Sequence, residues 1–163
     1  MRIRYLIASA AVLAFAAPAW AQSTPVSFSP EFQTSLEETY GVREGEYLRS
    51  AVNEAIQAEL TRRGVSADSA RIDVTIVDAE PNRPTMQQLF DRPSLDGTSI
   101  SIGGAELRAT VRAANGATTE VTHRRYNHSL ADIVGPSMTW TEARRAIRQF
   151  AVKVADAYVA TPR

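Results

Sequence analysis

AELRATVRAANGATTEVTHRR, residues 105–125, is the run of sequence that says most about the topology of this chain. On both sides of Asn115-Gly116, apolar residues alternate with polar ones, which is the pattern of strands with one buried face. An Asn-Gly pair between two such runs is typical of a tight turn between neighbouring strands. The stretch therefore predicts an antiparallel β-hairpin.

Two loop lengths compete at this turn, and they place different residues opposite one another. With a two-residue loop, the core-facing Val111 lies opposite Glu120, whereas a three-residue loop at 114–116 places Val111 opposite Thr119. The apolar pattern favours the three-residue loop because that register keeps a charge out of the core. The same register predicts three further cross-strand pairs: Ala109 with Val121, Leu107 with an inward-facing His123, and Glu106 with Arg124 on the solvent face.

Two further segments complete the predicted sheet. Residues 72–76 (IDVTI) alternate between apolar and polar side chains, which predicts a strand with one face inward. Residues 26–28 (VSF) alternate in the same way over a shorter length and predict an edge strand.

A change of parity precedes the hairpin. Ile100 and Ile102 occupy even positions, whereas the apolar residues of the following strand occupy odd ones. One extra residue at Gly103-Gly104 would keep both sets on the same face of the sheet. We therefore expect a β-bulge at the glycine pair.

Three main helices are predicted from apolar periodicity and capping residues. Ser29 is a suitable N-cap for a short helix over 30–40, which has proline at its first position. A longer apolar stripe predicts a helix over 44–63. The pair Thr139 and Glu142 has the spacing of a capping box and predicts the start of the last helix.

The predicted fold class is α+β. We expect an antiparallel three- to four-stranded sheet with helices packed on one face, in the order (β)-α-α-β-β-β-α. Residues 78–98 are expected to form a long loop, with one helical turn at 85–90. Loops of this length are uncommon in compact domains and often bind ligands or partners.

The N-terminal segment has the pattern of a secretory signal peptide. Arg2 and Arg4 precede a short apolar run over 5–17, and Ala19-Trp20-Ala21 supplies the small-residue end. We expect cleavage after Ala21 and a periplasmic or secreted location in a bacterium. The run is too short to span a bilayer as a helix, so no integral membrane span is expected after the signal is removed. Residues 22–163 are predicted to form a single domain.

Composition excludes several classes of function. The chain has no cysteine, which rules out disulfides, thiolate metal sites and cysteine nucleophiles. Its formal net charge is zero, so it has no broad basic field to attract nucleic acid. We expect no cofactor and no nucleic-acid partner, and the composition leaves the oligomeric state open.

The two histidines are the candidate general bases. His128 is five positions after His123, so a continuing strand would place the two side chains on opposite faces, which is unsuitable for binding one metal ion. Asp132 follows His128 closely and would join it if the chain turned. No metal site is predicted, and a small hydrolase or ligand-modifying enzyme that uses either histidine with Asp78 or Asp132 is the alternative function.

The carboxylates at the start of the long loop have two interpretations. Asp78 and Glu80 could act as a catalytic pair, which would need a cleft and a fixed separation. Arg83 and Arg92 are close in sequence, however, and ion pairs between these acids and arginines would hold the loop in place. We favour the ion pairs, and no catalytic residue is predicted.

The segment 81–92 is the predicted binding site. Its prolines reduce the entropy lost on ordering, and its arginine, amide and apolar side chains offer adaptable contacts. The predicted binding residues are Arg83, Met86, Gln87 and Arg92. Alternatively, Met86, Leu89 and Phe90 would plug the open end of the sheet.

Three short motifs carry a resemblance to small uncharacterised bacterial secreted proteins of the domain-of-unknown-function type. They are V-x-F-x-P at 26–30, I-x-V-x-I-V-D-A at 72–79 and W-x-x-A-R-R-A-I at 140–147. The resemblance covers most of the chain after the signal, but its motifs are core and cap positions. It therefore implies a fold and transfers no site.

The sequence predicts a non-enzymatic envelope protein that binds a protein partner or an envelope component. The binding surface would be the 81–92 loop together with a sheet edge. A third possibility is a self-associating structural subunit that uses an exposed edge strand or the aromatic residues Tyr40, Tyr126 and Trp140.

Overall fold

The fold was examined in a computed structural model that describes residues 24–65, 71–112, 116–133 and 137–160. The predicted signal peptide at 1–21 lies outside the described residues. The elements in chain order are β1 (Val26–Phe28), α1 (Pro30–Ser35), a π-helical turn (Leu36–Tyr40), α2 (Val42–Arg62), β2 (Arg71–Glu80), α3 (Met86–Asp91), β3 (Gly104–Arg112), β4 (Thr118–Tyr126), a 3₁₀ turn (Leu130–Asp132) and α4 (Thr141–Ala160).

The four strands form one sheet in the order β1-β2-β3-β4. β2, β3 and β4 are antiparallel neighbours, but β1 runs parallel to β2, with Val26 opposite Val74 and Phe28 opposite Ile76. The α+β class is confirmed, whereas the expectation of a purely antiparallel sheet is wrong. The physical reason is the connection, because α1 and α2 carry the chain back across the sheet before β2 begins.

The hairpin register agrees with the prediction for a three-residue loop. Val111 lies opposite Thr119 and Ala109 opposite Val121. On the solvent face, Glu106 lies opposite Arg124 and the two side chains form an ion pair at 3.3 Å. Residues 113–115 lie outside the described residues, so the register is confirmed by the strands on either side of the turn.

The predicted bulge at Gly103-Gly104 is wrong, and the irregularity lies in β2 instead. Ile76 pairs with Leu107, whereas Asp78 pairs with Glu106, which leaves Val77 as the extra residue. β3 begins at Gly104, and glycine is needed at this position because a side chain would collide with the main-chain oxygen of Arg125 on the neighbouring strand. The residues before Gly104 belong to the loop. Gly103 allows the side chain of Asn82 to pack closely, and Gly104 does the same for β4.

Helices α2 and α4 contact each other, and α4 covers the inward face of β3 and β4. The helix side of each strand supplies the core, which includes Ile72, Val74, Ile76, Leu107, Ala109, Val111 and Val121. From the helices it includes Leu48, Val52, Ile56, Leu60, Ile147, Phe150 and Val154. Within the described parts of the chain, none of the helices combines the length and apolar character that a membrane crossing needs.

The two predicted helix caps have different outcomes. Ser29 is the N-cap of α1, and its hydroxyl accepts a hydrogen bond from the N–H of Phe32 at 3.1 Å. The predicted capping box at Thr139 is wrong, because α4 begins at Thr141. The N–H of Glu142 donates to the side-chain oxygen of Asn82 at 2.8 Å, so a residue from a distant loop caps this helix.

Candidate functional site

The segment between β2 and β3 is held to the body of the domain by Asn82, which is 0% exposed. Its N–H donates to the carbonyl of Thr139 at 2.7 Å, and its carbonyl accepts from Ser101 at 2.9 Å. Its side chain caps α4 through Glu142 and donates to the carbonyl of Ser101 at 3.3 Å. Asn82 therefore ties both ends of the long loop to the start of α4.

Two of the predicted binding residues are engaged in holding the same loop. Arg83 donates to the carbonyls of Ser137 at 2.6 Å and Gly97 at 3.0 Å. Gln87 donates weakly to the carbonyl of Glu37 at 3.5 Å. These contacts connect the loop to the segment before α4 and to the π-helical turn. Both side chains are thus part of the scaffold that supports the loop.

Helix α3 is closed at its N-terminus by a capping box. The hydroxyl of Thr85 accepts from the N–H of Gln88 at 3.3 Å, and the side chain of Gln88 accepts from the N–H of Thr85 at 3.1 Å. At the other end, the N–H of Arg92 donates to the carbonyl of Gln88 at 3.0 Å. The helical turn predicted over 85–90 is confirmed, and its ends are satisfied by local residues.

The outer side of α3 is apolar and open to solvent. Met86 is 77% exposed and Phe90 is 90% exposed. They lie about one helical turn apart and therefore share a side of the helix. Only Leu89 of the predicted plug residues is half-buried, so the plug interpretation is wrong for Met86 and Phe90.

A pocket of about 230 Å³ lies between this loop, the end of β2 and the π-helical turn. The residues that line it include Tyr40, Glu80, Gln88, Arg92, Leu95 and Ile100. Arg92 is exposed and stands at the C-terminal end of α3. Of the predicted binding residues, Met86 and Arg92 are therefore accessible, and Arg83 and Gln87 support them.

An acid and tyrosine cluster stands beside the pocket. The hydroxyl of Tyr126 donates to Asp78 at 2.6 Å across Gly104, and this glycine leaves room for the ring. Burial raises the pKa of Tyr126, and burial together with Asp78 raises the pKa of Glu80. The pKa of Tyr40 is raised by burial and then by the two carboxylates.

The ion pairs predicted between these acids and Arg83 or Arg92 do not form among the described residues. Asp78 accepts a hydrogen bond from Tyr126, and the guanidinium of Arg83 donates to main-chain carbonyls. Sequence reasoning missed the role of Tyr126, which lies on β4 at the same end of the sheet as Asp78 but two strands away from it. The only sequence signal for it was the cross-strand position of the tyrosine opposite Gly104.

The two histidines lie in different surroundings. His123 faces α4, as predicted, and its ring lies 3.2 Å from the Gln149 amide oxygen and 3.1 Å from the Lys153 amine. Burial, followed by the charge of Lys153, lowers the pKa of His123. The ring is thus held by an amide and an amine, which keep it on the helix side of the sheet.

Asp132 lies next to His128 in space, as the alternative function requires, but its carboxylate serves the backbone. One oxygen accepts from the N–H groups of His128 and Ser129, both at 2.9 Å. These bonds lower the pKa of Asp132. Among the described residues, no three carboxylate or imidazole side chains converge as a metal site would require. The enzymatic alternative stays a prediction.

No protein-family model, no curated protein and no solved structure matches the chain. The resemblance to small bacterial secreted proteins therefore stays a prediction, and the proposals below rest on the geometry of the described residues.

Proposed function

We propose that this protein is a non-enzymatic binding module of the bacterial envelope that holds a protein partner on α3. The observation that carries the proposal is the pair Met86 and Phe90, 77% and 90% exposed on one side of a short helix. An almost fully exposed phenylalanine beside an exposed methionine forms an apolar surface that is more favourable when a partner removes it from water. A partner with an apolar pocket would cover both side chains.

The support beneath α3 favours binding over chance exposure. The capping box of Thr85, the contacts of Arg83 and the buried Asn82 hold the helix in one place before any partner arrives. Pro84 and Pro93 flank the helix and restrict the backbone further. A contact site that is already ordered loses less entropy on binding, so more of the contact energy appears as affinity.

The side chains on α3 are of the kinds that dominate protein interfaces. Complete burial of a methionine or phenylalanine side chain contributes roughly 1.5–3 kcal/mol each, and aromatic residues often form the centre of an interface. Methionine adapts its shape to its partner. Arg92 is exposed just beyond α3 and can pair with a carboxylate at the rim of the partner surface.

The envelope location rests on the predicted signal peptide at 1–21. Export would place the mature domain in a compartment where binding modules without catalytic groups hold other exported proteins.

The test is in-cell crosslinking of the tagged, exported protein, with captured proteins identified by mass spectrometry. In the double variant Met86→Ser/Phe90→Ser, we expect loss of the specific partner and an unchanged melting temperature, because exposed side chains contribute little to folding. Arg83 and Gln87 are left intact because their contacts support the loop.

The matched control is Val159→Ser, which also replaces an exposed apolar residue by serine. Val159 is 57% exposed and lies near the far end of α4, about 27 Å along the helix from the end that Asn82 caps. Capture should be retained in this control. If the double variant captures the same proteins as wild type, α3 is not the binding surface and the proposal fails.

A further inference from the structure

Among the described residues, β4 is an edge strand of the sheet, with no further strand on its outer side. It is last in the strand order, and its main contacts are with β3 on one side and α4 on the inward face. Natural edge strands are usually short, bulged, covered by another element, or protected by proline or by charged side chains, above all lysine. β4 has nine residues, contains neither proline nor lysine, and pairs with β3 without a shift of register.

One hydrogen bond establishes which backbone groups of β4 point away from β3. The N–H of Asn127 donates to the carbonyl of Gly103 at 3.0 Å, so the odd-numbered residues of β4 face β3. The even-numbered residues consequently direct their N–H and C=O groups to the free edge. They are Thr118, Glu120, Thr122, Arg124 and Tyr126.

These outward residues are self-complementary. We propose that a second copy of this chain pairs with β4 in antiparallel orientation about a two-fold axis at Thr122. Glu120 then lies opposite Arg124 of the second copy, and Arg124 lies opposite Glu120 of the second copy. Thr122 lies opposite Thr122 of the second copy, and Thr118 lies opposite Tyr126 of the second copy. The nine-residue strand pairs along its whole length.

The competing registers are less favourable. An axis at Glu120 or at Arg124 places like charges directly opposite each other, which destabilises a strand pair. An axis at Val121 or at His123 leaves both charges without an opposite partner and shortens the paired length. The register centred on Thr122 forms about ten hydrogen bonds between the edges and pairs both charges.

The helix side of the sheet is compatible with this arrangement. Val121 lies opposite His123 of the second copy and Thr119 opposite Arg125, so the inward side chains of the two strands place no like charges directly opposite each other. The guanidinium of Arg125 lies 3.0 Å from the buried carboxylate of Glu142, which also pairs with Arg145 at 2.9 Å.

The position of α4 adds a helix contact to the interface. α4 packs on both β3 and β4, and the two copies of this helix would lie about 10 Å apart, or roughly two strand spacings. This separation is within the range of packed helices. The flank of α4 that holds Gln149 and Lys153 against His123 would face the second copy.

The test measures the oligomeric state of the mature full chain by sedimentation equilibrium across a concentration series. Wild type is expected to form a dimer. Glu120→Arg and Arg124→Glu each place like charges opposite one another twice in the dimer, and each should raise the dissociation constant roughly tenfold or more. The double variant Glu120→Arg/Arg124→Glu restores opposite charges, so it should dimerise again.

A backbone variant tests the strand pairing independently of charge. The N–H of Thr122 points to the outer edge of β4. Thr122→Pro therefore removes one hydrogen bond from each chain to the other and leaves the hydrogen bonds between β4 and β3 intact. We expect a monomer that still melts cooperatively. Thermal unfolding of all variants, including Arg124→Glu, which loses its 3.3 Å ion pair with Glu106, distinguishes loss of pairing from loss of fold.

A wild type that stays monomeric at about millimolar concentration would overturn the inference. A dimer that both single charge reversals leave unchanged would do the same. The variants do not touch Met86 or Phe90, so this inference does not depend on the proposed function, and either one can fail while the other stands.

Discussion

Replacing Asn82 with alanine tests whether the loop is tied to α4 by this side chain. The alanine variant keeps both backbone hydrogen bonds of residue 82 but loses the 2.8 Å cap on Glu142 and the 3.3 Å bond to Ser101. Loss of an N-cap typically costs about 1 kcal/mol. The second hydrogen bond and the space left at a fully buried site add about 1–2 kcal/mol. We therefore expect the free energy of unfolding to fall by about 2–3 kcal/mol.

The expected loss corresponds to a decrease in melting temperature of roughly 6–12 °C for a domain of this size. Urea unfolding followed by circular dichroism measures the free energy of unfolding. The slope of that free energy against urea concentration should equal the wild-type slope, because the variant exposes the same surface on unfolding. Asn53→Ala is the matched control. The Asn53 side chain donates to the carbonyl of Arg49 at 3.2 Å, and its buried oxygen finds no partner among the described residues. Its replacement should change stability by no more than about 0.5 kcal/mol.

Gly103 provides a second, independent check of the same contact. A methyl group at this position would lie 2.5 Å from the side-chain atoms of Asn82, so Gly103→Ala should be strongly destabilising in the wild type. The Asn82→Ala variant lacks these side-chain atoms. In that background, Gly103→Ala should lower the free energy of unfolding by at least about 1 kcal/mol less than it does in the wild type. The reasoning is refuted if Asn82→Ala costs under about 1 kcal/mol, or if the two changes are additive.

Two further predictions concern the acid and tyrosine cluster. The pKa of Glu80 is raised above its ordinary value near 4.5, so the folded state disfavours the ionised form, and the wild type loses stability as the pH rises through the folded-state pKa. Glu80→Gln should therefore be more stable than wild type near pH ~7 and equal to it below pH ~4. Thermal melts at both pH values measure the difference. A gain in stability that is the same at both would contradict a raised pKa of Glu80. Tyr126→Phe removes the 2.6 Å hydrogen bond to Asp78 and should cost about 1–2 kcal/mol in urea unfolding, and an unchanged stability would mean that water replaces the hydroxyl without loss.

Features that depend on near neighbours in the chain could be predicted from the sequence. The hairpin register follows from alternating side chains on two adjacent strands, because a shift by one residue would expose every apolar side chain of one strand. The cap of α1 at Ser29 is equally local, since the cap and its donor Phe32 lie within one turn. The helical turn at α3 is of the same kind.

The exposed side chains of the proposed binding surface could be predicted only in part. The loop between β2 and β3 was identified by its length and its prolines, but which of its side chains face solvent depends on what they contact. The guanidinium of Arg83 donates hydrogen bonds to carbonyls of two other segments, whereas the side chain of Phe90 is 90% exposed. Periodicity carries no information about such partners, because they come from positions distant in the chain.

Local pattern and long-range packing therefore contribute different parts of this protein. Alternation, capping residues and turn dipeptides determine the α+β class, the hairpin and the helix positions, since each depends on interactions within a few residues. The parallel direction of β1, the bulge at Val77, the cap that Asn82 provides to α4 and the pairing of Tyr126 with Asp78 come from tertiary structure. Each of these joins segments far apart in sequence. The connection through α1 and α2 sets the direction of β1, and the two side-chain contacts form because polar groups that leave water need hydrogen-bond partners.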